Sequence, residues 1–265
     1  LPAKFNFLNQ TGHLDEIGWR GEERSDLWRY NQHYFDWLGA QLARDNPDAF
    51  NDVSKDWLIK NPSAIGPAWD PYPTSLRIVN WCKFHWRSES LTEEMIASLA
   101  LQAHHLHKTI EWRLMANHLF ANGKALIFAG IFFDGREPNH WLKDGIKIIS
   151  RQLDEQILAD GAHFELSPMY HSIILEDCLD LLNLLRQSNR PEAEELVLKL
   201  LSYIPLMFNW LSLMSFSDGR ISFFNDSTFD IASDPVELRN YAHRLGLKTI
   251  DFLPGENSGV HHLEH

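Results

Sequence analysis

The sequence predicts an all-α protein, a ring of antiparallel helix hairpins with little or no strand. Three observations carry that expectation: apolar residues recur at a period near 3.6 over most of the chain, residues 117–133 are apolar on every side, and stretches alternating apolar with polar are almost absent. A helix apolar all round belongs in an inner layer, with amphipathic helices outside it and short turns between them.

Residues 1–26 hold Gly12, Gly18 and Gly21 without a sustained period and read as an irregular lead-in. Helices are expected over 27–44 (Trp28, Tyr30, Tyr34, Phe35, Leu38, Leu42) and 48–59. Residues 61–74 carry Pro62, Pro67, Pro71 and Pro73 beside Trp69 and Tyr72. Such proline density predicts an extended loop, and loops of this length in compact domains are often functional. Helix resumes over 76–87, and Ser90-Leu91-Thr92-Glu93 is a capping box opening a helix to about residue 115. After the apolar central helix, Asp134-Gly135 makes a turn, and 141–158 repeats apolar residues at helical spacing. Ser167 reads as an N-cap and Pro168 as a first helical residue for 170–186. A further helix covers 191–216, Ile221, Phe223 and Phe224 mark a short extended segment, and Asp234-Pro235 with Glu237 opens a last helix ending at Gly246.

Composition narrows the function. A 44% hydrophobic content over 265 residues is ample for a packed core. A net charge of −12 without any Lys/Arg block argues against nucleic acid, yet leaves room for an anionic substrate in a locally basic cleft. Ten Trp, sixteen Phe and six Tyr exceed what a core requires, and aromatic faces also form platforms for sugar rings. Cys82 and Cys178 both fall in apolar helical runs and read as buried thiols, which leaves the redox compartment and the localisation open. No run of eighteen apolar residues is present, so no membrane insertion is expected. The cluster His104-His105-Leu106-His107 lacks the spacing of a helical zinc site, and neither metal nor cofactor is expected. The chain starts without Met and ends in Leu263-Glu264-His265, like the start of a purification tag. Residues 1–255 are therefore read as one domain of a longer protein and 256–265 as a tail.

The chemistry concentrates between residues 116 and 171. The apolar helix carries Asn117, His118, Asn122 and Lys124, and an unpartnered buried amide or imidazole costs about 1–3 kcal/mol, so these groups must be bonded or face a cavity. Tyr170 falls in the first turn after Pro168, at the positive end of a helix dipole, where a phenolate is favoured.

Asn117-His118-Leu119-Phe120-Ala121-Asn122, Phe132-Phe133-Asp134-Gly135 and the run from Asp160 to His171 strongly resemble the heparinase II/III family of polysaccharide lyases. Pro71-Tyr72-Pro73-Thr74-Ser75-Leu76-Arg77 and Phe223-Phe224-Asn225-Asp226 are similar to its exopolysaccharide-cluster branch. The resemblance implies an incomplete (α/α) toroid, followed in whole members by a β domain that supplies a further histidine and is absent here. It also implies β-elimination at a uronic acid: a base removes the C5 proton, the C4–O bond breaks, and an acid protonates the leaving oxygen. On this basis Asn117 binds the substrate carboxylate, Tyr170 is the base and also the candidate acid, and His118 stands beside them. A dipole and nearby imidazoles would lower the phenol from about 10. Glu165, His163, His171, Arg77, Arg113, Lys124, Trp69 and Tyr72 are the candidate substrate contacts. The implied partners are an acidic polysaccharide and the missing β domain, and the chain by itself would be close to inactive.

Two other functions fit the same residues. Toroids of this class also carry glycoside hydrolases that use two carboxylates, which Asp70, Glu165 and Asp226 could supply. A non-catalytic glycan-binding protein is the other.

Overall fold

The computed structural model describes residues 4–36, 47–88, 91–113 and 117–248. The expected helix beyond residue 36, Ser90 of the expected capping box and the tail 256–265 lie outside the described residues. The chain divides into two compact units, Leu1–Gly145 and Ile146–His265.

The first unit opens with a hairpin in place of the irregular lead-in. Strands β1 (Lys4–Phe7) and β2 (Gln10–His13) pair antiparallel with Phe5 opposite Gly12. Leu8 and Asn9 both take positive φ, 52° and 59°, the two-residue turn whose twist matches that of the strands. Four-residue strands are too short to show a period of two in the sequence. Helix α1 (Leu14–Ile17) follows, then α2 (Asp26–Tyr34), capped by the Ser25 hydroxyl, which accepts from Trp28 N. Helix α2 stops well short of the predicted residue 44, because Phe35 turns left-handed at φ 60°.

Helix α3 (Pro47–Lys60) and a 3-10 turn at Pro67–Trp69 lead into α4 (Pro71–Ser88). The proline-rich stretch is therefore not all loop. Pro71 and Pro73 occupy the first turn, where the missing N–H would have had no partner. Helix α5 (Glu93–Lys108) is capped by Thr92, whose hydroxyl accepts from Met95 N, and ends seven residues before the predicted stop. Helix α6 (Asn117–Phe132) is the apolar one, buried from Leu119 through Gly130. The core of this unit is α4 packed along α6, with α5 against both. Most of the aromatic surplus is spent here: Trp28, Trp57 and Trp81 are fully buried, and the Arg77 guanidinium lies 4.3 Å from the Trp57 ring centroid. These rings are core, not sugar platforms.

Helix α7 (Arg136–Gln156) runs across the unit boundary. Its first half crosses α6 closely: a Cβ added at Gly130 would stand 2.7 Å from Leu142 N, and one at Gly145 2.8 Å from Gly123 O. The histidine cluster on α5 is spent on ties to neighbouring chain. His104 Nδ1 meets Glu137 at 2.5 Å, His107 Nε2 meets Asp144 at 2.7 Å, and His105 Nε2 donates to Trp69 O at 3.0 Å.

In the second unit a turn at Asp160-Gly161 precedes α8 (Pro168–Ser188), then come a 3-10 turn at Pro191–Ala193, α9 (Glu194–Leu213) and α10 (Pro235–Arg244). Helix α8 packs against α9 and α10, and Ser167 and Pro168 cap it as the sequence predicts. The segment Pro191–Leu213 holds an eighteen-residue window of mean hydropathy 1.5, long and apolar enough to cross a membrane by length and composition. It holds no unbroken run of eighteen apolar residues because Lys199, Pro205 and Asn209 interrupt it; Leu200, Ile204, Met207 and Leu211 form its buried stripe. Both cysteines are buried thiols, in no disulfide.

Candidate functional site

In the first unit the candidate residues gather where the N-terminal turns of α4 and α6 meet. Asn117 opens α6, half-buried, its amide bonded to no other described residue. His118 follows, half-buried, with the Tyr72 ring stacked on it at 4.3 Å between centroids and 22° between planes. The imidazole Nδ1 lies 3.2 and 3.3 Å from the two carboxylate oxygens of Glu111. Beneath them the fully buried Asn122 amide donates to Ser75 Oγ at 3.1 Å and to Glu111 Oε2 at 3.4 Å. Beside this group, the Tyr30 hydroxyl donates to Asp70 Oδ2 at 2.6 Å. Burial, and then the Asp70, Asp26 and Glu111 carboxylates, push the Tyr30 phenol well above its ordinary value and keep it protonated.

The other candidates of this unit have different work. Arg77 is fully buried and donates to Gln102 Oε1 (2.8 Å), His33 O (3.1 Å) and Thr74 Oγ1 (3.3 Å), which ties α2, α4 and α5 together. Trp69 is buried with its indole N–H on Asn61 O, and Lys124 is buried inside α6 with its ammonium 5.7 Å from the Phe128 ring centroid. Burial removes all three from contact with a polymer. Arg113 is exposed. The cleft of about 800 Å³ along residues 14–24, Asp56 and Lys60 contains none of these candidates. Its carboxylates Asp15, Glu16, Glu22, Glu23 and Asp56 outnumber Arg20, Arg24 and Lys60, which disfavours an anionic sugar there.

In the second unit, Tyr170 is the third residue of α8 and half-buried. Ser167 Oγ accepts from Tyr170 N at 3.3 Å and shares a hydrogen bond with Ser227 Oγ at 3.0 Å, which also accepts from Met169 N. Asn225 Nδ2 donates to Glu165 O at 2.8 Å and to Leu166 O at 3.1 Å. The segment around residues 225–227 is thus fastened over the start of α8. This accounts for the Asn225-Asp226 part of the motif, and it brings Asp226 near Tyr170.

That proximity corrects the expected electrostatics. Burial, followed by the charges of Glu165 and Asp226, raises the Tyr170 phenol above its ordinary value instead of lowering it. The imidazoles expected to help carry no charge. His171 is fully buried, its Nε2 donating to Met207 O at 3.0 Å and its Nδ1 accepting from His163 N at 3.2 Å. His163, also fully buried, pairs with Gln156 Oε1 at 3.0 Å. Burial pushes His171 down to about 3 and His163 to about 4, so both are neutral internal ties out of reach of a substrate. Glu165 is half-buried.

Sequence reasoning missed Glu111 and Ser227. Glu111 lies in a connection with no period, and its contacts with His118 and Asn122 are disclosed only by the packed helices. Ser227 follows the recognised Asn225-Asp226 pair and had no capping pattern of its own.

Comparison with known proteins follows the same outline. The Heparinase II/III N-terminus family model matches residues 13–246. Among curated relatives, a heparin-sulfate lyase of Bacteroides stercoris is 27% identical over 158 residues, 57% of this chain and 24% of that protein. A heparin-sulfate lyase of Bacteroides thetaiotaomicron is 24% identical over 229 residues, 78% of this chain and 33% of that protein. Among solved structures, a heparinase III superposes with TM-score 0.66 and 21% identity, covering 91% of this chain and 43% of that one. The heparan sulfate lyase HepC from Pedobacter heparinus gives 0.64 and 20%, covering 92% and 44%. The chain spans less than half the length of each of these proteins. The structural likeness shows the fold, the (α/α) toroid class expected from the sequence. With the family pattern matched from residue 13 to residue 246, the chain belongs to the heparinase II/III family as its N-terminal part.

Proposed function

We propose that this protein is a polysaccharide lyase that cleaves uronic-acid-containing chains by β-elimination, with Asn117, His118 and Tyr170 in the reaction. One observation carries the reading. The three residues named for chemistry are half-buried in the first turns of α6 and α8, while Arg77, Lys124, Trp69, His163 and His171 are sealed in the core.

The chemistry fits those positions. An amide in the first turn of a helix donates to a carboxylate without adding charge, and the helix N-terminus favours an anion there. Withdrawing charge from the substrate carboxylate makes the adjacent C5 proton removable. As that proton leaves for the base, its electron pair forms the C4–C5 double bond, the C4–O bond breaks, and the leaving oxygen takes a proton. A phenol with a raised pKa is protonated at rest and suited to that last donation. It serves as base only in the fraction that is ionised. The exposed Phe223 and Phe224, next to Asn225, offer apolar faces to sugar rings.

The relatives named as heparin-sulfate lyases support a glycosaminoglycan-like polymer, and the exopolysaccharide-type motifs support a bacterial uronate polymer as the substrate class. The test is a panel of uronate polysaccharides, read by ultraviolet absorbance of the unsaturated product. In the full-length protein, Tyr170→Phe is expected to lower turnover by about 10³-fold or more with binding largely kept. Equal turnover in that variant would remove Tyr170 from the mechanism. The two carboxylates that act on Tyr170, Glu165 and Asp226, favour a hydrolase as the second reading. Cleavage products without the C4–C5 double bond would select it.

A further inference from the structure

Glu111 sits in the connection between α5 and α6, outside any regular element. Its side chain is only 14% exposed, against 32% for His118, and the two carboxylate oxygens stand 3.2 and 3.3 Å from His118 Nδ1. The carboxylate is itself held. Glu111 N donates to Asn122 Oδ1 at 2.9 Å, and the Asn122 amide donates back to Oε2 while also donating to Ser75 Oγ. One face of the imidazole is covered by the Tyr72 ring, so the ring plane is fixed as well.

An ionised carboxylate only accepts hydrogen bonds, so the hydrogen of a neutral His118 ring must reside on Nδ1. That leaves the lone pair on Nε2, an atom with no hydrogen bond to another described residue. An unrestrained neutral imidazole prefers the opposite form, with hydrogen on Nε2. We propose that Glu111 is a positioning residue, which locks His118 in the Nδ1–H tautomer and presents Nε2 to the substrate as a proton acceptor. The inference rests on the reading that His118 touches the substrate. It adds the residue that decides which nitrogen does so.

The chain has fourteen histidines, so the His118 ring nitrogens are identified in a nitrogen–proton correlation spectrum by their loss in His118→Gln. The spectrum is recorded at about pH 8.5, some two units above the usual imidazole value. The wild-type ring is expected as Nδ1–H. Glu111→Ala is expected to switch it to Nε2–H, and Glu111→Gln, whose amide oxygen still accepts, to retain Nδ1–H. In polysaccharide cleavage by the full-length protein, Glu111→Ala should lower kcat at least about tenfold with KM little changed, and Glu111→Gln should restore most of the loss. Finding Nε2–H in the wild type overturns the proposal alone and leaves the reading of His118 in place. Unchanged turnover in His118→Gln overturns the reading of His118, and the proposal with it.

Discussion

Tyr170 is the residue at which sequence and structure part most instructively. Its place was legible: Ser167 and Pro168 announce a helix start, and three residues in, a phenol must sit in the first turn. Its electrostatics were not, because the deciding charges come from the preceding loop and from Asp226, far along the chain. The dipole alone would have favoured the phenolate, but burial with two carboxylates wins. Removing one of these charges should therefore move Tyr170 toward its ordinary value. Asp226→Asn is expected to make the Tyr170 phenolate appear at lower pH, followed in this chain as the part of the tyrosinate ultraviolet titration missing from Tyr170→Phe. The alkaline limb of any pH–rate profile that depends on the phenolate should shift the same way. An unaltered titration would mean that Asp226 does not act on this group. Asn117, by contrast, needed no correction of place: a polar residue opening an otherwise apolar helix is visible in the sequence.

At the scale of elements, the helices were legible and their ends less so. Helix α6 declared itself by being apolar all round, and α10 by Asp234-Pro235. The proline-rich stretch misled because four prolines read as a loop, whereas two of them open α4. The hairpin before α1 was invisible for want of length. Crossings between helices leave almost no trace in periodicity, although Gly130 and Gly145 mark one. Added methyl groups there would press on Leu142 and on the Gly123 carbonyl, and backbone cannot step aside cheaply. Gly130→Ala is expected to cost about 1–3 kcal/mol despite the better helix propensity of alanine, measured by denaturant unfolding. A stabilised variant would show that α6 and α7 have slack at this crossing.

For the molecule as a whole, two ledgers of charge matter. His33, His163 and His171 are held neutral by burial, at about 3, 4 and 3. Each takes up protons near 6.5 when unfolded, so the unfolded chain binds more protons than the folded one below that pH. Stability is complete above about 6.5 and falls as pH drops toward the folded values, each group giving up at most about 1.4 kcal/mol per pH unit. Between about pH 7 and about pH 5 the unfolding free energy should fall by at least about 2 kcal/mol in denaturant titrations. A flat profile would mean that these rings are protonated inside the fold. The second ledger is the net charge of −12 against an acidic polymer. Raising the ionic strength from about 0.01 to about 0.15 M shortens the screening length from about 30 to about 8 Å. Binding of a uronate polymer should hold or strengthen over that range, and sparsely sulfated chains should be preferred to densely sulfated ones. A steep loss of binding with salt would point to a concentrated basic patch that the charge balance does not foretell.

The contact of Gly161 with α9 reaches beyond stability. Gly161 takes φ +90°, and a side chain there would drive its first carbon to 2.2 Å from the Leu206 carbonyl oxygen. The loop that carries Glu165 toward Tyr170 is pinned at one end by this glycine and at the other by the Asn225 clamp. Mutational freedom is therefore unevenly shared around the phenol. Gly161 can vary little without displacing a helix, whereas the exposed Phe223, Phe224 and Ile231 can be exchanged without disturbing the core. A library built to redirect the protein to a different polymer has its useful diversity at those three positions, and Gly161 is the position to hold constant.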